Sequence, residues 1–185
     1  MQTRPEVYVN RAGTWHFRSS PIENESILNY FKKNLKRDAE GKYFIENRFG
    51  ELKEEGYIQG VEGFPLIIRT LQFEPEPSIN LECEQTYSLE PDRIGAEAGT
   101  ESTILFQQDD ATLWTLVFPD DSPEAIPARL SGPCMASLHT AFQDSDEGIC
   151  LAANGSHWKI IQRNASDYFQ TIDKTPPAPE DNPAE

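Results

Sequence analysis

Val7-Tyr8-Val9-Asn10-Arg11-Ala12-Gly13-Thr14-Trp15-His16-Phe17 is the stretch from which the fold can be read. Val7-Tyr8-Val9 is β-branched and aromatic, as strands prefer. Asn10-Arg11-Ala12-Gly13 reads as a turn, with Gly13 free to take positive φ. Trp15-His16-Phe17 alternates as a returning strand, and Pro21 reads as its stop. The same order recurs twice. Trp114 follows Asp109-Asp110-Ala111 within residues 104–118, and Trp158 follows Asn154-Gly155 within residues 149–161. All three tryptophans of the chain therefore stand early in the second strand of a hairpin. A Trp there covers one face of a two-stranded ribbon, which is marginal by itself. This is either a reused unit or the ordinary preference of Trp for strands, and neither confers chemistry.

A helix is predicted after the first hairpin, over residues 24–37. Asn24 suits its cap and Glu25 its positive end. Ile27, Leu28, Phe31 and Leu35 form one apolar stripe, and Lys32, Lys33, Lys36 and Arg37 gather late. Gly41 reads as the stop. Strands are expected at 42–46 and 64–73, the latter buried on both faces in its middle. Glu74-Pro75-Glu76-Pro77 cannot pair in a sheet and marks a boundary. Beyond it, residues 81–89 read as one strand, 90–101 as a loop, and 103–107 and 113–118 as strands. A short helix is expected around Met135, Leu138 and Phe142, and another over 165–172. The tail from 173 has no apolar pattern and reads as disordered.

The expected fold is α+β, with two small subdomains built on antiparallel or mixed sheets. Repeated Trp-bearing hairpins run through both, and one amphipathic helix lies in the first. The subdomains span 1–73 and 79–172, joined by a Pro/Glu linker at 74–78.

Composition narrows the partners. The 185 residues carry a formal charge of −15, and it is uneven. Residues 1–73 hold 11 Lys/Arg against 10 Asp/Glu, whereas residues 74–185 hold 5 against 21. Such a field repels nucleic acid and anionic lipid and suits a basic protein. No apolar run reaches the ~18 residues of a membrane span. The N-terminus lacks the apolar core of a signal peptide, so a cytoplasmic location is expected. The N-x-S matches at Asn24, Asn154 and Asn164 then carry no glycosylation. Cys83, Cys134 and Cys150 are odd in number and far apart, which fits reduced thiols.

Motifs that would carry chemistry are mostly missing. No dinucleotide fingerprint, P-loop, nucleophile elbow, zinc-protease helix or C-x-x-C is present. Asp144-Ser145-Asp146-Glu147-Gly148 opens like a calcium loop, but its fifth position is Gly148 and its twelfth Gly155. It reads as a solvated acidic turn. Cys134 and His139 are near each other in sequence, yet their acidic surroundings disfavour a thiolate. His16 and His157 flank two of the hairpin tryptophans and, with His139, are too few for a metal site. No cofactor and no metal is expected. Arg11, Arg18, Lys32, Lys33, Lys36, Arg37, Lys42 and Arg48 form a basic set in the first half. That set could hold an anionic ligand or the acidic second half.

The run from Gly13 through Trp15, Ser20-Pro21-Ile22, Leu28, Phe31 and Leu35 to Gly41-Lys42-Tyr43-Phe44 resembles the bacterial family labelled domain of unknown function 1285. The resemblance covers residues 7–68, with nothing comparable beyond Phe73. Two places depart from the family pattern. Phe64-Pro65 reverses a P-F pair, and Glu23-Asn24-Glu25 stands where the family tends to place an Arg. The resemblance implies a compact α+β protein with recurring β units and a bacterial cytoplasmic setting. It also implies a link to signal transduction. It supplies no catalytic residues.

Three functions are therefore in play. The favoured one is a regulatory or signalling module that binds a protein or a small anionic ligand. Its groove is expected at Trp15, Arg18, Ser19 and Ser20, beside the start of the helix, whose free N–H groups favour an anion. The second is an acidic chaperone or adaptor for a basic protein. An unrecognised enzyme is the least favoured. The sequence does not set the oligomeric state.

Overall fold

The computed structural model describes residues 6–100 and 102–172. The tail expected to be disordered lies outside them.

The first hairpin forms as read. β1 (Val7–Val9) pairs with β2 (Trp15–Phe17), Val9 opposite Trp15, across a turn in which Gly13 takes φ +81°. Pro21 does not stop the sheet. Arg18 at φ +56° turns the chain so that β3 (Ser20–Pro21) pairs back on β2. A Pro without an N–H is tolerated on such an edge.

α1 (Glu25–Lys33) starts where predicted, with the Asn24 side chain accepting from the Ile27 N–H at 3.1 Å. Its end differs. Asn34 caps it, and β4 (Leu35–Arg37) follows, placing Leu35 against Ile45 of β5 (Tyr43–Phe49). Leu35 fits the helical stripe and a strand equally well, and pairing with β5 is what buries it completely. β5 runs past its predicted end and returns through Gly50 into β6 (Leu52–Tyr57). β7 (Gly60–Val61) then joins β1 in parallel, closing a small sheet of order β3-β2-β1-β7.

β8 (Leu66–Gln72) and β9 (Ser78–Leu81) pair antiparallel. The Glu-Pro segment at 74–77, expected as a boundary, is thus the connection between neighbouring strands. Residues 81–89 are not one strand, because β9 turns through Glu84 (φ +64°) into β10 (Thr86–Ser88). The predicted loop holds α2 (Pro91–Glu97), which Pro91 starts and buried Ile94 anchors. Then follow β11 (Phe106–Gln107), β12 (Leu113–Val117), β13 (Ile126–Leu130) and α3 (Gly132–Ser137). β14 (Phe142–Ser145), β15 (Gly148–Ala153), β16 (Ser156–Lys159) and β17 (Ile161–Gln162) precede a 3-10 turn over Ala165–Tyr168. Phe142, expected on a helix, lies in β14.

The main sheet has the order β10-β9-β8-β13-β12-β11-β17. Its strands come from both sides of residues 74–78, because β8 runs parallel to β13, Ile68 opposite Leu130. Smaller sheets flank it, of order β4-β5-β6 and β14-β15-β16. The architecture is α+β with mixed sheets.

All three Trp hairpins are present, with Val9 opposite Trp15, Phe106 opposite Trp114 and Leu151 opposite Trp158. The first two indoles are buried and use their N–H groups, Trp15 on the Pro65 carbonyl (3.0 Å) and Trp114 on the Arg163 carbonyl (2.9 Å). Burying an indole without such a partner would cost ~1–3 kcal/mol. Trp158 is half-buried and stacks on Phe73, ring centres 5.7 Å apart.

Candidate functional site

The basic set of the first half is largely consumed by the acidic second half. Lys32 on α1 pairs with Glu82 and Lys33 with Glu84, both in the β9–β10 turn. The Gln85 side chain adds a bond to the Lys33 carbonyl at 3.1 Å. Lys36 donates to the Asp120 carbonyl, and Arg48 and Lys53 both reach Asp121 (3.4 and 3.3 Å). Arg37 donates to the Asp167 carbonyl and lies over the Tyr43 and Tyr168 rings. Five of the set's eight residues thus meet the second half, Lys32, Lys33 and Arg48 through its carboxylates and Lys36 and Arg37 through backbone carbonyls.

A groove lies beside the first hairpin and the start of α1, with a volume of about 410 Å³. Its walls include Phe17, Ser20, Ile22, Asn24, Ile27 and Phe31. Strand alternation sets Phe17 on the same side of β2 as Trp15, and helical spacing sets Ile27 and Phe31 one turn apart. Phe17 and Ile27 remain 46% and 47% exposed, so two large apolar side chains face water at one place. Phe31 packs on Trp15 beneath, ring centres 6.2 Å apart.

The four residues expected at this site separate. Ser20 lines the groove. Trp15 is only 2% exposed and serves as its buried floor through Phe31. Arg18 stands at the rim, over the Phe17 ring (5.1 Å) and paired with Glu6 at 2.8 Å. Ser19 is exposed in the turn and is not among the groove walls. The Asn24 side chain occupies the Ile27 N–H, so the helix start has already spent one of its free donors. The residues missed were Phe17 and Ile27. Their signal was the face they share with Trp15 and Phe31.

The thiol and imidazole candidates do not assemble. Cys134 is buried, and burial pushes its thiol pKa up. His139 is exposed and bonds the Ala136 carbonyl at 3.0 Å. His16 stacks on Tyr8 within the first hairpin (4.9 Å), whereas His157 is exposed on β16. Asp144 and Ser145 end β14, and Ser145 closes the acidic turn by donating to the Gly148 carbonyl at 2.7 Å. Among the described residues no group of three or more His, Cys, Asp or Glu is placed to hold a metal ion. Among them, too, no helix is long and apolar enough to cross a membrane.

No protein-family profile matches the chain, and no curated protein matches it in sequence. Solved structures do. A protein of the DUF1285 family from Silicibacter pomeroyi DSS-3 superposes with a TM-score of 0.58 at 14% identity, covering 85% of this chain and 80% of its own. Another, from Shewanella baltica OS155, gives 0.50 at 15% identity, covering 75% of this chain and 94% of its own. These identities speak for fold alone. The likeness to DUF1285 proteins is thus not confined to residues 7–68, where the sequence carries it, but is a likeness of fold over most of the chain.

Proposed function

We propose that this chain is a binding module whose groove between β2–β3 and α1 receives an apolar anchor side chain of a protein partner. The observation that carries the reading is the pair of half-exposed apolar side chains, Phe17 and Ile27, on one open concavity. Apolar surface of this kind gains about 25 cal/mol for each Å² removed from water. A small ligand would need directing polar groups, and the walls offer few. Asn24 caps its own helix, leaving Ser20 and Glu23. The Pro on edge strand β3 disfavours an added β-strand, so side-chain insertion is the mode that fits. A regulatory or signalling role is the setting we propose for it, on the strength of the sequence resemblance.

The test uses the double variant Phe17→Ser/Ile27→Ser. Both side chains are half-exposed, so the variant should unfold at nearly the wild-type urea midpoint. A partner captured by the wild type, identified and rebuilt from purified proteins, should bind equally at low and high salt and lose about tenfold or more to the variant. Binding that survives the double variant but collapses in 0.5 M salt would sink the groove reading. It would favour the acidic adaptor instead.

A further inference from the structure

Among the described residues, two cations are left without a partner. In a chain of net charge −15, a lysine or arginine without a partner is unexpected. Every other described lysine and arginine has an ion pair, a hydrogen bond or an aromatic face. Arg11 and Arg129 have none among the described residues. They are far apart in sequence, one on the first hairpin turn and one on β13, yet both line a single cavity of about 210 Å³.

Two glycines bring this about. A Cβ on Gly63 would stand 2.5 Å from the Arg11 carbonyl oxygen and 2.6 Å from that of Asn10. A Cβ on Gly13 would stand 2.7 Å from the Phe64 carbonyl oxygen. Without side chains there, the 63–64 segment lies directly on the turn that carries Arg11. The second Trp hairpin turn supplies Asp110 to the lining, and Phe64 and Phe169, edge to face at 5.4 Å, supply an aromatic wall. Arg129 is half-buried across the sheet from Trp114. The cavity shares no wall residue with the groove of the first hairpin.

We propose that this cavity is a binding site for a small oxyanion, a phosphate or carboxylate group, held between Arg11 and Arg129 where the first two Trp hairpin turns meet. Two guanidinium groups free of carboxylate partners are the donors such groups bind, often in bidentate fashion. The aromatic wall takes a flat or apolar body attached to the anion. Asp110 opposes a bare anion, so it selects a ligand with a hydrogen-bond donor beside the oxyanion. The volume limits the occupant to a compact molecule or to one end of a larger one.

Calorimetric titration with inorganic phosphate, phenyl phosphate and benzoate at low salt tests the site. At least one probe should bind the wild type one to one. Arg11→Gln and Arg129→Gln should each weaken it about ten- to a hundredfold, the usual loss with one charged hydrogen-bonding partner. Asp110→Asn should strengthen it, and Lys53→Gln, outside the cavity, should leave it unchanged. Arg11 is exposed on a turn, so its variant should keep the wild-type melting temperature without ligand. That separates lost binding from lost folding should Arg129→Gln unfold. Binding of phosphates alone identifies a phosphate site, and binding of benzoate as well identifies a general oxyanion site. If none of the probes binds, or if Arg11→Gln binds as well as Lys53→Gln, the proposal is wrong.

Discussion

Replacing Glu82 by Ala should destabilise the protein more than replacing its partner Lys32 by Met, although both remove the same ion pair. The asymmetry follows from burial. Lys32 is 7% exposed and Glu82 27% exposed. Glu82→Ala leaves an ammonium group buried under α1 with its carboxylate gone, the case in which breaking a buried pair is expensive. Because Glu82 itself reaches some water, the loss should fall somewhat below the ~3–5 kcal/mol of a fully buried pair, at about 2–3 kcal/mol. Lys32→Met leaves a carboxylate that can still be hydrated, and Met keeps the packing of the aliphatic stem. Its cost should be ~1 kcal/mol or less. With a urea slope of ~2 kcal/mol/M, the midpoints should fall by about 1–1.5 M and at most ~0.5 M. The double variant Lys32→Met/Glu82→Leu should recover most of the larger loss, since no charge is then stranded. Equal midpoints for the two single variants, or a greater loss from Lys32→Met, would refute the reasoning and show that the pair is solvated.

Trp15→Phe should cost about 2–3 kcal/mol in urea unfolding, because it removes the donor to the Pro65 carbonyl and leaves a void in the floor of the groove. A loss under ~0.5 kcal/mol would mean that the indole N–H is dispensable. The hydrogen bond from the Thr112 N–H, first among several causes, holds the Asp110 carboxyl below its ordinary value of 3.8. A depressed folded-state pKa means that its contribution is fully present above pH ~4 and fades as pH falls through the lower folded value. Asp110→Asn should therefore flatten the acid limb of stability measured between pH 5 and 2, and an unchanged limb would contradict this assignment.

How much of the fold was legible depended on whether the deciding residue spoke locally. The hairpin turns did: Gly13 and Asn154-Gly155 are turn chemistry, and positive φ is found at Gly13, Asn154 and Gly155. Asn24 also acted as read, as the cap of α1. The end of α1 was hidden because Leu35 satisfies a helical stripe, and only its distant partner Ile45 makes it a strand. The turn between β9 and β10 was hidden because Glu84, not a Gly or Asn, takes the left-handed conformation. The strand Ile126–Leu130 was not read from the sequence at all, and it contains Pro127. That proline is tolerated because β8 pairs only from Ala128 onward, leaving β12 as the sole neighbour at that point. Of the four residues named from the sequence beside the first hairpin, Ser20 lines the concavity there, Trp15 is buried, and the apolar exposure belongs to Phe17. Nothing local could show that Arg11 and Arg129 share a cavity, because that depends on Gly63 meeting the first turn.

The parallel pairing of β8 with β13 bears on the order in which the chain is made. When β8 leaves the ribosome its antiparallel partner β9 follows at once, but its other edge has no partner until β13 has been synthesised. A parallel partner cannot be supplied by a short hairpin, so the wait is imposed by topology. In that interval Leu66 and Ile68, both buried in the finished protein, belong to an open edge. A fragment ending anywhere between β9 and β13 would keep that edge permanently, so over that span the nascent chain carries an edge open to aggregation.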